Sequence, residues 1–350
     1  MSRVAVVLFN LGGPDSLDAV EPFLRNLFRD PAIIRAPAPV RHVLARLIAR
    51  RRGPEARTIY RALGGRSPLL AETEAQAAAL KAALGGLDAV EVVIAMRHWH
   101  PLSEAAARRV AAFRPDRIVL LPLYPQFSTT TTASSFDAWR RAAAAAAVTA
   151  PTRAVCCYPS ADGLAEAHAA LIAPLLDAAA ATGSPRLLFS AHGLPKSVVA
   201  RGDPYQWQVE ETARRIVARL GREGLDWAVC YQSKVGPLAW LEPSTVDEIE
   251  RAGRARVPVV VVPVAFVSEH SETLVELDID YRERAEAAGV PAYHRVPALG
   301  TQPAFIAALA SLVRGALGGA GWGADWGGVE AGAGGRLCPA AHRGCPLAVH

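Results

Sequence analysis

Short apolar segments recur along the chain, and each is followed by a longer stretch of helix-forming residues. The clearest segment is the valine run at 259–262. Its lack of polar positions predicts a strand covered on both faces, as in a parallel sheet flanked by helices. Similar segments predict strands at 4–9, 89–95, 117–121, 154–157, 186–189, 227–230 and 292–295. Because the intervening stretches are long enough for crossover helices, we predict an α/β fold with parallel sheets.

These strands form two series that are similar at corresponding places. The similar pairs are LFNLGGP at 8–14 with LFSAHGLP at 188–195, and LPLYPQFSTTTT at 121–132 with VPVAFVSEHSET at 262–273. We therefore predict two similar Rossmann-type α/β lobes, 1–150 and 151–314, around a cleft. The first lobe has Gly12-Gly13 but no GxGxxG pattern, which disfavours dinucleotide binding.

A glycine-rich stretch begins near Gly315, and we predict that 315–350 is a flexible tail. Its end contains Cys338, His342 and Cys345. Their spacings match no strong zinc pattern, so we favour a disordered end over a metal site.

The segment 31–57 is unusually rich in proline and arginine. Apolar residues repeat in it at helical spacing, with arginines around them: Val40, Val43, Leu44, Leu47 and Ile48. One interpretation is an ordinary surface helix packed on the core. The other, which we weigh equally, is an apolar lip fringed by cations that meets a membrane surface or a flat apolar ligand with acidic groups.

A row of carboxylates follows the strand at 259–262, on a helix that we expect to begin at Ser268 or Ser271. Its members, at steps of three and four residues, are Glu269, Glu272, Glu276 and Asp280. Such a row is commonly a solvated face. Here it leaves the carboxyl end of a buried strand, where α/β sheets bind ligands. We expect it to face the cleft together with His192, which follows another strand, opposite residues 11–13.

Composition narrows the class of protein. The chain has 350 residues, of which 51% are hydrophobic and 20% charged, enough for two globular α/β domains. The net charge of +5 and pI of about 9.1 suit anionic ligands or a membrane surface, but are too mild for nucleic acid. The five cysteines form no disulfide framework. With no signal-peptide pattern and no membrane-length apolar run, we expect a cytoplasmic protein.

The chemistry of His192 and Glu272 suits a divalent first-row metal such as ferrous iron. Two protein ligands leave coordination positions open, so the ion can be handed on. The same pair can accept protons, because an imidazole titrates near neutrality and a carboxylate in a dry cleft can have a raised pKa. Inserting a metal into a porphyrin needs both abilities. Glu276 and Asp280 would then carry ions or protons between this centre and solvent.

At this point the chain resembles the ferrochelatases, from residue 3 to about 314. The motifs that carry the resemblance are FNLGGP (9–14), SPL (67–69), MRHWHP (96–101), YPQFS (124–128), SAHGLPKSVVARGDPY (190–205), YQSKVGPLAWLEP (231–243) and FVSEHSETLVELDIDY (266–281). The resemblance implies the chelatase fold, with two lobes around a porphyrin cleft, and insertion of ferrous iron into protoporphyrin IX as the terminal step of haem biosynthesis. It assigns His192 and Glu272 as the iron- and proton-handling pair.

The resemblance also implies further site residues. Those expected to bind the porphyrin are Leu11, Arg52, Tyr60, Ser67, Arg97, Trp240 and His270. The expected proton or metal relay is Glu269, Glu276 and Asp280. No cofactor is expected, since ferrous iron is a substrate. A [2Fe–2S] cluster is not expected either, because Thr129 stands where cluster-bearing relatives have a cysteine.

Three alternatives differ in substrate or class. They are a ferrochelatase for coproporphyrin III, a cobalt or nickel chelatase for a reduced tetrapyrrole, and a non-catalytic haem carrier. A cobalt or nickel chelatase would lack the MRHWHP and VGPLAWLEP elements, and a carrier has no use for the acidic row. The sequence leaves open the choice of porphyrin, the delivery of iron and which of His192 and Glu272 meets iron first. We favour a monomer, with peripheral association at the inner face of the membrane as an open alternative.

Overall fold

The computed structural model describes residues 2–319, 329–332 and 335–347. It divides into two compact units, Met1–Cys157 with Leu309–Gly334 and Tyr158–Ala308 with Gly335–His350. In the described residues the strands are β1 Arg3–Asn10, β2 Ala89–Met96, β3 Arg117–Pro122, β4 Thr152–Cys157, β5 Arg186–His192, β6 Asp226–Gln232, β7 Val259–Pro263, β8 Tyr293–Arg295 and β9 Val329–Ala331. The predicted strands are confirmed, and β9 is an addition to them.

Helices connect the strands within each unit. The α-helices are α1 Val20–Arg29, α2 Ala38–Ala62, α3 Leu69–Ala83, α4 Ser103–Phe113, α5 Thr132–Ala145, α6 Asp162–Ala180, α7 Lys196–Val199, α8 Tyr205–Leu220, α9 Thr245–Ala255, α10 Tyr281–Ala287 and α11 Pro303–Gly318. A π-helix, Glu272–Asp280, directly precedes α10.

Both sheets are parallel and share one topology. The first unit has the strand order β2-β1-β3-β4-β9, and the second has β6-β5-β7-β8. In each sheet, therefore, the first strand along the chain lies between the second and the third. This confirms the predicted fold class of two parallel sheets flanked by helices, and the similar sequence segments fall on equivalent strands.

Each sheet is covered on both faces, as the apolar strands predict. Every residue of β7 is buried, with α6 and α8 packed on one face and α9 on the other. In the first unit Phe9 of β1 packs edge-on against Trp139 of α5, with ring centroids 6.2 Å apart. These cores fix the carboxyl ends of the strands, where the predicted site residues lie.

Two predictions about helical segments need correction. The segment after β7 is not an α-helix: it begins with a single helical residue at Ser271 and continues as the π-helix. Glu269 precedes it, so the acidic row is not one face of an α-helix. In addition, part of the predicted flexible tail is regular structure, because α11 continues to Gly318 and β9 pairs with β4. The other parts of the tail at 320–328, 333–334 and 348–350 lie outside the described residues.

The described end of the chain, 335–347, lies against the second unit. The Gly344 amide donates to the Gly202 carbonyl at 3.0 Å, and Cys338 and Cys345 are buried, with the Cys338 sulfur accepting a hydrogen bond from Gln208 Nε2 at 3.1 Å. Within the described residues, no three His, Cys, Asp or Glu side chains form a metal-binding group.

One described helix, α6, is long and apolar enough to cross a membrane by length and composition. Leu164, Ile172 and Leu176 of this helix are fully buried in the second unit. Core helices of soluble proteins meet the same criteria, so the finding is weak evidence for a membrane span.

Candidate active site

The end of β5 positions His192. It is the last residue of this strand, and its register partner is Gln232 at the end of β6. Gly193 follows and makes a close approach: a Cβ there would lie 3.0 Å from the Gln232 carbonyl oxygen and 3.2 Å from a ring carbon of Trp240. The absence of a side chain at Gly193 therefore leaves room for the end of β6 and for the Trp240 ring.

The π-helix brings Glu272 to His192. The His192 Nδ1 lies 3.2 Å from Glu272 Oε2, and the Nε2 of His270 lies 3.5 Å from the same oxygen. The side chains of His192 and Glu272 are 37% and 30% exposed. The pair predicted from sequence is thus assembled in the second unit, at a place that an ion and solvent can reach.

Electrostatics favour an ion pair between these two residues. Burial alone lowers the pKa of His192, but the nearby carboxylate of Glu272 outweighs burial and raises the pKa above the usual 6.5. Burial alone raises the pKa of Glu272, whereas His192 and His270 together hold it well below its usual range. Both shifts favour the charged pair over the neutral one, and a metal ion that binds the imidazole must take the place of its proton.

Glu276, one helical turn further along, is tightly held. It accepts hydrogen bonds from Gln232 Nε2 at 3.1 Å, Ser233 N at 2.9 Å, Ser233 Oγ at 2.6 Å and the Tyr281 hydroxyl at 2.7 Å. Gln232 also donates to the Glu272 carbonyl at 2.9 Å. These bonds attach the π-helix to the end of β6.

The other two predicted relay residues differ from Glu276. Glu269 forms an ion pair with Arg295 at 2.6 Å. Asp280 is exposed at the end of the π-helix, where partial burial and the nearby Glu283 raise the pKa of its carboxyl above 3.8. Of the three, only Asp280 projects into solvent.

Two aromatic residues lie beside the pair. Trp240 is 9% exposed, packs against Gly193 and donates from its ring nitrogen to the Val235 carbonyl at 3.0 Å. The ring of His270 lies 4.5 Å from that of Phe266, centroid to centroid. Trp240 thus packs next to the residue that follows His192, and His270 lies next to the Glu272 carboxylate.

In the first unit, the end of β1 gathers Leu11 and Arg97. The Arg97 amide donates to the Asn10 carbonyl and the next amide donates to the Leu11 carbonyl, both at 2.9 Å. The Arg97 guanidinium pairs with the buried Asp30 at 2.7 Å and donates to Ser134 at 2.6 Å. Its charge is thus already matched by an internal carboxylate.

The Gly12-Gly13 pair accommodates protein neighbours. Gly12 has φ +85°, and a Cβ on it would lie 2.9 Å from the Trp99 amide nitrogen. A Cβ on Gly13 would lie 2.6 Å from the Cβ of Ser67, whose amide donates to the Pro14 carbonyl at 2.8 Å. The close neighbours that require glycine at these two positions are thus Trp99 and Ser67.

Helix α2 carries Arg52, Tyr60 and the predicted lip. Arg52 is half-buried, while Tyr60 is 7% exposed within an apolar cluster formed with α1. The lip is strongly exposed: Val40, Val43, Leu44 and Leu47 are 51%, 60%, 38% and 58% accessible. The helix instead buries its alanines, including Ala45 and Ala49. The face is therefore not packed on the core of the first unit, as one of the two interpretations required.

A sequence model of the ferrochelatase family matches residues 3–317 of this chain. The chain belongs to the ferrochelatase family. Ferrochelatase of Caulobacter vibrioides is 55% identical over 338 residues, covering 93% of this chain and 96% of that protein. Ferrochelatase of Phenylobacterium zucineum is 54% identical over 347 residues, covering 98% and 97%. As a ferrochelatase, the protein has a porphyrin and iron as its substrates.

Solved structures support the fold of this ferrochelatase. SirB from Bacillus subtilis with Fe3+ has a TM-score of 0.54 at 11% identity, covering 91% of this chain and 96% of that chain. The sirohydrochlorin chelatase SirB in complex with cobalt gives 0.53 at 11% identity, covering 89% and 94%. At these identities the likeness concerns the chelatase fold alone.

The ferrochelatase site contains residues that no prediction named. Gln232, Ser233 and Tyr281 hold Glu276, and Arg295 holds Glu269. The first three lie within motifs of the family resemblance, so the motif boundaries were a usable signal. Arg295 is the last residue of the short strand β8, and nothing in the local sequence marks it.

Proposed function

We propose that this ferrochelatase inserts ferrous iron into protoporphyrin IX, forming protohaem and releasing two protons, as the terminal step of haem biosynthesis. The observation that carries the proposal is the contact between His192 and Glu272 at 3.2 Å. An imidazole and a carboxylate in contact offer the ion two ligands and offer the leaving protons two acceptors.

The reaction balances as an exchange of one ion for two protons. Ferrous iron binds the four ring nitrogens, and the two pyrrole N–H bonds break. His192 takes a pyrrole proton, for which it must first be neutral. Glu272 stabilises the imidazolium that then forms and is the second proton acceptor or metal ligand. The same two side chains would thus serve both metal binding and proton removal.

Protons and ions leave or enter, in this proposal, along the acidic residues beyond Glu272. Asp280 is exposed and suited to exchange with solvent, while Glu276 lies between it and Glu272. Glu269 is the weakest of the three candidates, because its carboxylate is already paired with Arg295. Of the three residues, Glu276 is therefore the one whose loss should affect the relay most.

The residues proposed to contact the porphyrin are the seven that the family resemblance implies. Leu11, Ser67 and Arg97 lie around the end of β1, and Arg52 and Tyr60 lie on α2. Trp240 and His270 lie beside His192. The exposed face of Val40, Val43, Leu44 and Leu47, with arginines around it, suits either the apolar ring with its propionates or an anionic membrane surface. No redox cofactor or [2Fe–2S] cluster enters this proposal.

The test is to mix the protein with protoporphyrin IX and ferrous iron without oxygen and to follow the visible spectrum. We expect many turnovers, with a higher kcat/KM for protoporphyrin IX than for coproporphyrin III. His192→Ala should retain porphyrin binding but lose more than about tenfold in turnover, a barrier increase above ~1.4 kcal/mol. A reaction that stops at one equivalent would indicate a carrier. A preference for coproporphyrin III would show that protoporphyrin IX is not the preferred substrate. An active His192→Ala variant would show that His192 is not the proton acceptor.

A further inference from the structure

The carboxylate Glu272 is carried by an uncommon element. A π-helix is rarer than an α-helix and is seen mostly as a short, local feature, frequently at functional sites. The sequence 272–280 has no obvious reason to form one, since it is a regular mixture of apolar and acidic residues. We therefore infer that contacts from neighbouring elements stabilise the π-helical backbone relative to an α-helix.

Strand β8 supplies one set of these contacts. The Arg295 Nη1 lies 2.6 Å from Glu269 Oε1, and its Nη2 lies 2.6 Å from Asp278 Oδ2. Glu269 also accepts hydrogen bonds from the Ala298 amide at 2.9 Å and the Thr273 hydroxyl at 2.5 Å. One guanidinium thus joins Glu269, three residues before the start of the π-helix, to Asp278 inside it.

These groups are shielded from solvent. The side chains of Arg295, Glu269 and Asp278 are 10%, 18% and 28% exposed. In addition, the Tyr293 hydroxyl donates to the Leu277 carbonyl at 2.7 Å, so β8 holds the same helix at a third point. Charged hydrogen bonds with little exposure hold geometry more firmly than exposed ones.

Glu272 lies between the two carboxylates in sequence, three residues after Glu269 and six before Asp278. If the helix relaxed from π to α between these points, Glu272 would rotate about the helix axis relative to Asp278. Its carboxylate would then move away from His192. The backbone geometry between the two carboxylates that pair with Arg295 therefore determines the position of the Glu272 carboxylate.

We propose that Arg295 is a positioning residue for metal insertion: by clamping Glu269 and Asp278, it keeps the π-helix in the register that sets Glu272 against His192. The inference rests on the proposed function of that pair. It also gives Glu269 a structural role in place of the relay role. Arg295 itself does not touch the reacting atoms.

The experiment compares Arg295→Gln and Arg295→Lys in the full-length protein with a matched control, Arg186→Gln. Arg186 lies on β5 of the same unit, has a side chain that is also 10% exposed, and pairs with Glu248 at 3.0 Å and Asp226 at 3.5 Å. Stability is followed by urea unfolding, and steady-state rates are measured with varied ferrous iron and varied porphyrin.

We expect Arg295→Gln to lower kcat/KM for ferrous iron at least ~10-fold, with the porphyrin KM within ~2-fold of wild type. Arg295→Lys should recover part of the rate, because a lysine can pair with one of the two carboxylates but not bridge both. Arg186→Gln should lose stability without a change in either KM. If Arg295→Gln does not fold, Arg295→Lys and Glu269→Gln, which each remove only part of the clamp, decide by the same kinetic measurements.

Two outcomes overturn the inference. One is wild-type kinetics in the folded Arg295 and Glu269 variants while Glu272→Gln is inactive, in which case the proposed function stands alone. The other is an equal kinetic loss in Arg186→Gln, which would make the effect one of general stability. If Glu272→Gln also keeps wild-type rates, the proposed function of the pair fails as well, and the two failures are distinguished.

Discussion

The substitution Glu276→Gln separates an ion or proton relay from a structural anchor. Glu276 accepts two hydrogen bonds on Oε1, from Ser233 N and Tyr281, and two on Oε2, from Gln232 and the Ser233 hydroxyl. A glutamine keeps the oxygen but turns its NH₂ group towards two donors. Hydrogen bonds to a charged group contribute about 1.5–3 kcal/mol each. Because the Ser233 hydroxyl can turn and accept instead, we expect a net loss of about 2–4 kcal/mol in unfolding free energy.

Kinetics then decide between the two roles. A relay predicts that Glu276→Gln lowers kcat at least ~10-fold with an unchanged porphyrin KM, and that the defect varies with pH or with ferrous concentration. Tyr281→Phe is the matched control, since it removes one of the hydrogen bonds at 2.7 Å but leaves the carboxylate in place. It should lose stability and keep its turnover. The assays are anaerobic initial rates and urea unfolding of both variants.

The reasoning is refuted in either of two ways. Wild-type kcat in Glu276→Gln at every pH and iron concentration would remove the relay and leave His192 and Glu272 to act alone. An equal fall of kcat in Tyr281→Phe would show that the carboxylate acts only by holding the helix to the end of β6.

Three further predictions concern other parts of the molecule. Replacing Leu44 and Leu47, which are 38% and 58% exposed, with serine should raise the porphyrin KM and weaken binding to anionic vesicles, and a loss of folding would instead make this face part of a core. His168 is fully buried, has no hydrogen-bond partner for either ring nitrogen among the described residues, and has a pKa lowered by burial from 6.5 to about 3. Because this histidine resists protonation in the folded protein, the unfolding free energy should fall as the pH drops below 6.5, by about 2 kcal/mol at pH 5. The variant His168→Leu should lose this part of the pH dependence in urea titrations. An unchanged pH dependence in the variant would contradict the prediction. Gly13→Ala should cost about 1–3 kcal/mol by the clash with Ser67, and Ser67→Gly should restore the stability of the double variant if that clash is the cause.

The sequence alone determined the class of fold, and it predicted that His192 and Glu272 lie together. Uninterrupted apolar runs such as 259–262 can be satisfied only by a strand covered on both faces, which requires helices on either side. His192 and Glu272 stand just after such runs, and parallel strands bring their carboxyl ends to one edge of a sheet. Local pattern and the topology of parallel sheets are therefore enough to bring these two residues together.

Tertiary structure decided the form of the helix that carries Glu272 and the partners of its neighbours. Local spacing predicted an α-helical acidic face, but Arg295, Gln232 and Tyr293 hold the backbone as a π-helix through contacts from distant strands. Helix type is a balance of small backbone energies, and a few buried ion pairs and hydrogen bonds outweigh it. Such contacts join residues far apart in sequence, so no periodicity records them.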